Sequence, residues 1–182
     1  MRGRAIRDIV LCSLFAALII VGTFIKVPSP LVPFTLQTLF TNLAGLLLGR
    51  RRGMISVLIY ILLGLVGLPV FTGGGGIGYV LQPTFGYIIG FLFGAGLGGH
   101  IAFSSKKRSF KLFFLAGLAN MAVVYAFGLL YFYLISHLYL GTKIGIGVLF
   151  LNCFALTFPF DVVLCALAAL LAKRMDKITD SI

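Results

Sequence analysis

Long apolar stretches divide the chain. Residues 6–26, 83–104, 110–137 and 147–173 are each apolar enough to predict a membrane-spanning helix, which needs about 20 such residues. Two shorter apolar segments, 35–49 and 53–68, flank Arg50-Arg51-Arg52-Gly53. At about 1.5 Å per residue each reaches roughly 22–24 Å, short of the hydrocarbon thickness. The chain beyond them is therefore expected within the depth of the membrane, where irregular backbone must lie against protein or water.

Charge fixes how these segments alternate. Arg2, Arg4 and Arg7; Arg50 to Arg52; Lys106, Lys107, Arg108 and Lys111; and Lys173, Arg174 and Lys177 sit at alternate junctions, thirteen basic residues on one side. Lys26 and Lys143 lie on the other. Basic residues favour the cytoplasmic side, so the pattern predicts an all-α, six-transmembrane-helix bundle with both termini cytoplasmic, forming one domain over residues 1–182.

Two outer connections are unusual. Val27-Pro28-Ser29-Pro30-Leu31-Val32-Pro33-Phe34 holds three prolines and cannot be helical throughout. The segment from Leu68 to Gln82 contains Thr72-Gly73-Gly74-Gly75-Gly76-Ile77-Gly78-Tyr79, and glycine lets backbone approach a neighbour or ligand closely. Both are expected to dip inward and cap a binding cavity.

Composition agrees with a membrane environment. Of 182 residues 60% are hydrophobic and 10% charged, with a mean hydropathy of +1.14, whereas a soluble domain carries about 25% charged residues. The net charge of +11 does not argue for nucleic acid, because the basic clusters fall between apolar runs. The basic-then-apolar start resembles a signal peptide, but the run from Ile6 to Ile25 is long enough to span and no A-x-A site follows it. It is read as a retained first helix. Cys12, Cys153 and Cys165 have neither metal nor disulfide spacing and read as small apolar fillers.

Four acidic residues occur, all Asp, and of these Asp161 alone lies deep in an apolar run. An intramembrane carboxylate costs about 2.5–3.5 kcal/mol on insertion scales and faces the bundle interior or water. Pro159, two residues earlier, is expected to kink the sixth helix. Thr35 and Gln37 follow the proline segment, and Gln82, Thr84 and Tyr87 follow the glycine segment. These five are expected to gather at the outer end of the bundle with Tyr79. Thr38 and Asn42 are further polar candidates. Asn120, Tyr125 and Asn152 read equally as ligand contacts or interhelical hydrogen bonds. His100 and His137, near helix ends, read as solvated. Gly86, Gly90, Gly94 and Gly98 form a small-residue ridge for helix packing or a partner. Ser13, Ala16 and Ala17 are small residues of the first helix.

No phosphate-binding loop occurs, so the chain carries no such ATPase site. No nucleophile–base pair, metal cluster or mirrored second half is present, and no cofactor is implied. Such a unit looks like a binder that needs a partner in order to move.

Val32-Pro-Phe-Thr-Leu-Gln-Thr-Leu-Phe40, Gly67-Leu-Pro-Val-Phe71 and Pro83-Thr-Phe-Gly-Tyr-Ile-Ile-Gly-Phe91 resemble the BioY family, the biotin-specific substrate-binding (S) components of energy-coupling factor (ECF) transporters. The resemblance covers essentially the whole chain. It implies a multi-pass bacterial plasma-membrane protein that binds biotin with high affinity near the outer face. It also implies a transmembrane coupling subunit and two ATPase subunits as partners, and places the family's sixth-helix aspartate at Asp161. The family pattern Pro-Gly-Asp-x-x-Lys reads here Pro159-Phe160-Asp161-Val-Val-Leu164, without the lysine. S components also carry an alanine pair four apart in helix one; Ala16 matches, but Ile20 takes the second place.

The expected ligand-binding residues are Asp161, Gln82, Tyr79, Thr35, Gln37, Tyr87 and Asn120, with Ala16 and Ala17 for partner docking. Asp161 would accept from a ureido N–H, and Gln82, Asn120 or a tyrosine would donate to the ureido carbonyl. The valerate carboxylate would point outward, to cap N–H groups or Lys26. Other readings are an S component for another vitamin or small nutrient, or a structural membrane subunit. An enzyme is disfavoured because one embedded Asp leaves no acid–base pair.

Overall fold

The computed structural model describes residues 2–28, 31–105, 107–142 and 144–179. Ser29, Pro30, Lys106, Lys143 and Asp180, used above, lie outside the described residues, as do the side chains of Arg2 and Lys177. Helix α1 (Arg2–Phe24) leads into a two-residue antiparallel ladder, β1 (Lys26–Val27) with β2 (Phe34–Thr35). Helix α2 (Gln37–Leu65), a 3-10 turn (Ile77–Leu81), α3 (Phe85–Ala102) and α4 (Phe110–Leu138) follow. A short α5 (Ile146–Phe150) passes through a π turn (Leu151–Ala155) into α6 (Phe158–Thr179).

Helix α2 is not straight. Gly49 has φ 79° and ψ 179°, a backbone region open essentially to glycine. A Cβ placed on Gly53 would stand 2.9 Å from Gly45 Cα, yet eight residues of continuous helix would separate these positions by about 12 Å. Likewise Gln37 Nε2 donates to Tyr60 Oη at 2.6 Å across 23 positions, a separation of about 34 Å in a straight helix. The chain therefore doubles back at Gly49, and its two arms lie side by side. The expected break at residues 50–52 falls one step earlier: Arg50 to Arg52 open the return arm, which ends at Leu65 rather than residue 68. Arg52 pairs with Asp8 at 3.0 Å, tying the reversal to α1.

The glycine ridge resolves in favour of internal packing. A Cβ on Gly86, Gly90, Gly94 or Gly98 would fall 2.0–2.9 Å from Tyr131, Val124, Asn120 or Ala116 of α4, so only glycine permits this approach of α3 to α4. Their contact is the most extensive in the fold.

Pro159 sits in the first turn of α6, where a missing N–H removes no intrahelical bond. The expected kink is displaced upstream. The irregularity is the π turn, in which Leu156 N–H reaches back to Leu151 O at 3.0 Å.

Among the described residues, four stretches are long and apolar enough to cross a membrane: Gly3–Phe24, Phe85–Ala102, Phe110–Leu138 and Ile146–Asp176. Large apolar side chains such as Ile9, Leu130 and Val163 are more than 60% exposed. In water such a surface would associate; hydrocarbon suits it.

Candidate functional site

A cavity with about 680 Å³ free of protein atoms, part of it open, lies between α2, α3, α4, α6 and the two cap segments. Val32 to Thr35 of the proline segment and Thr72 and Tyr79 of the glycine segment line it. Each cap is fastened. The proline segment is held by the β1–β2 ladder, with Lys26 opposite Thr35, and by an edge contact of Phe34 with Phe160, centroids 5.7 Å apart. In the glycine segment Tyr79 Oη lies 2.9 Å from Thr72 Oγ1, and its ring packs 4.6 Å from that of Phe71.

The polar wall is built around Asp161. Tyr125 donates its hydroxyl to Asp161 Oδ2 at 2.5 Å. Thr157 Oγ1 lies 2.6 Å from the same tyrosine oxygen. The threonine hydroxyl also reaches two backbone carbonyls of the π turn, Cys153 O at 3.2 Å and Phe154 O at 3.1 Å. Thr38 of α2 is also within interaction range of the carboxyl. Tyr87 donates to the Cys153 carbonyl at 3.2 Å. That carbonyl lacks its usual helical donor because the Thr157 N–H bonds Phe154 O at 3.1 Å. The π turn thus frees an acceptor that fixes Tyr87 at the wall. Ile88 and Phe91 of α3 and Met121 and Val124 of α4 supply apolar surface.

The structure brings five of the seven expected ligand residues to this cavity: Asp161, Tyr79, Thr35, Gln37 and Tyr87. Gln37 is 4% exposed and engaged on both sides, with Thr35 donating to its Oε1 at 3.2 Å while its Nε2 donates to Tyr60. Gln82 is not among the lining residues; it is exposed, and its backbone makes the turn between Tyr79 and Phe85. Asn120 is also absent from the lining. It donates to Asn42 Oδ1 at 2.8 Å, joining α4 to α2, while Asn42 donates onward to Thr38 O at 3.0 Å and to Cys165 Sγ at 3.5 Å. Asn152 bonds Val148 O within its own segment, at 2.9 Å. His137 is half-buried at the end of α4, its Nδ1 3.0 Å from Tyr133 O.

Tyr125 and Thr157 are the residues that sequence reading missed or left open. Thr157 carried a usable signal: it stands four positions before Asp161, so on a helix both share one face. Leu164, which replaces the family lysine, is 4% exposed and packs with Phe15, Leu39 and Ala168 away from the cavity lining. On α1, Ala16 is 2% exposed and turned into the protein, so it offers no docking surface; Ala17 and Ser13 are exposed.

Comparison with known proteins assigns this architecture. The BioY family model matches residues 1–181. A probable biotin transporter BioY from Lysinibacillus sphaericus is 46% identical over 171 residues, covering 94% of this chain and 87% of the relative. The biotin transporter BioY of Thermotoga maritima is 37% identical over 175 residues, covering 94% and 97%. A crystal structure of the S-component for biotin from an ECF-type ABC transporter superposes with a TM-score of 0.83 at 27% identity, over 97% of this chain and 94% of that one. With its several apolar helices this is a multi-pass membrane protein, and the chain belongs to the BioY family.

Proposed function

We propose that this chain is the substrate-specific subunit of an ECF-type importer and that it takes up biotin. The observation that carries this is the fastened carboxyl of Asp161 in the wall of a capped, mostly apolar cavity, in a chain whose relatives are biotin transporters. A carboxylate accepts at about four lone-pair positions, and Tyr125 occupies one. Capacity remains for a ureido N–H, while apolar side chains from α3 and α4 enclose the thiophane ring and valeryl chain. The cap segments shut the cavity over the guest. No catalytic group is needed, since the cargo leaves chemically unchanged.

The same reading includes six membrane passes in one domain over residues 1–182. The two arms of α2, folded back at Gly49, count as two passes, and both termini face the cytoplasm of a bacterial cell. The basic clusters around Arg50, Lys107 and Lys173 then share the cytoplasmic side. The coupling subunit and the two ATPases supply the motion and energy, docking against the exposed face of α1 at Ala17. The purified chain should bind radiolabelled biotin with high affinity and in preference to other vitamins. Saturable binding of a different vitamin, with none of biotin, would replace this reading by that of an S component for the other nutrient.

A further inference from the structure

We propose that Lys26 is the anion-recognition residue of this site, its ammonium reading the carboxylate tail of the guest at the cavity rim. The inference rests on the biotin reading above and identifies which group meets the charged end.

Electrostatics and position point to this side chain together. Among the described residues, the cavity lining contains one acidic side chain, Asp161, and no lysine or arginine. An anionic tail would be repelled at the Asp161 wall and needs a cation elsewhere. Lys26 is held at the rim by two neighbours that line the cavity: its partner across the β1–β2 ladder is Thr35, and its Nζ donates to the Thr72 carbonyl at 2.8 Å. It therefore bridges the proline and glycine caps. Its acceptor is a neutral backbone carbonyl in an exposed bond. An ammonium has three donors, so a carboxylate can share the group without opening the clasp. The clusters around Arg50, Lys107 and Lys173 belong to the opposite ends of the helices. His137, on the rim side, is half-buried and packs against Tyr133 with centroids 4.2 Å apart.

The test compares biotin with biotinamide, whose tail is neutral, by calorimetry on the purified full chain. The unaltered protein should prefer biotin by about fivefold at low salt, a modest factor because the rim is exposed and salt-screened. Lys26→Gln should abolish that preference by weakening biotin while leaving biotinamide unchanged, and Lys26→Arg should retain it. Equal weakening of both ligands in Lys26→Gln would overturn the inference, leaving Lys26 a clasp between the caps. An undiminished preference in that variant would overturn it as well. A wild-type chain that binds neither ligand would instead remove the biotin reading itself, a different outcome from either.

Discussion

The hydroxyl of Tyr125 on α4 and the carboxylate of Asp161 on α6 are joined by a 2.5 Å hydrogen bond. It spans 36 positions of sequence and does two things at once. It gives an acid among apolar helices a strong donor, as an intramembrane carboxylate requires, and it sets the direction in which the remaining lone pairs face. Hydrogen bonds to charged groups are worth about 1.5–3 kcal/mol.

Tyr125→Phe removes that donor and leaves the ring, so the helix contacts survive. We expect biotin affinity to fall about three- to tenfold, read by calorimetry, with a retained folded profile in detergent. Unaltered affinity would show that the bond serves packing alone.

Asn120 and Asn42 lie outside the cavity lining and hold α4 against α2. Asn120→Ala should therefore lower thermal stability by about 1 kcal/mol, the scale of interhelical hydrogen bonds in membranes, while biotin affinity stays within twofold of wild type. A large affinity loss at unchanged stability would return Asn120 to the binding site.

Gly49→Ala places a side chain where φ is 79° and ψ 179°. Strain of this kind costs about 1–3 kcal/mol, so the variant should unfold at lower temperature than wild type. Gly53→Ala should also be costly, since its Cβ would stand 2.9 Å from backbone of the opposite arm. A stable Gly49→Ala protein would mean that the reversal lies elsewhere.

Topology is open to direct labelling. Single cysteines at Ser105 and Leu140, both exposed, should react with a membrane-impermeant thiol reagent from opposite sides of a sealed cell, Ser105 from the cytoplasm and Leu140 from outside. The native Cys12, Cys153 and Cys165 are buried and should give little background. Labelling of both positions from one side would exclude the six-pass arrangement.

Much of this site is legible in the chain because lipid makes polar groups conspicuous. One aspartate inside an apolar run and two proline- or glycine-rich segments beside short helices point to the place where Asp161, Thr35, Gln37, Tyr79 and Tyr87 meet. Asn120 and Tyr125 are harder to separate. They lie five apart on one helix, about 140° around its axis, and nothing local says which face turns to the cavity. Only the docking of α3 through its glycine ridge settles that Tyr125 faces Asp161 and Asn120 faces Asn42. Gly49 and Gly53 pose the same difficulty, since each flanks the arginines and either could turn the chain. The π turn leaves no compositional mark; within it the Cys153 carbonyl accepts from two side chains, Tyr87 and Thr157.

Isothermal titration of biotin into the purified chain and into its Asp161→Asn variant tests the central claim most directly. The account predicts saturable binding of one biotin per chain, weakened at least tenfold in the variant without loss of the folded state. Equal affinity in the two proteins would contradict it.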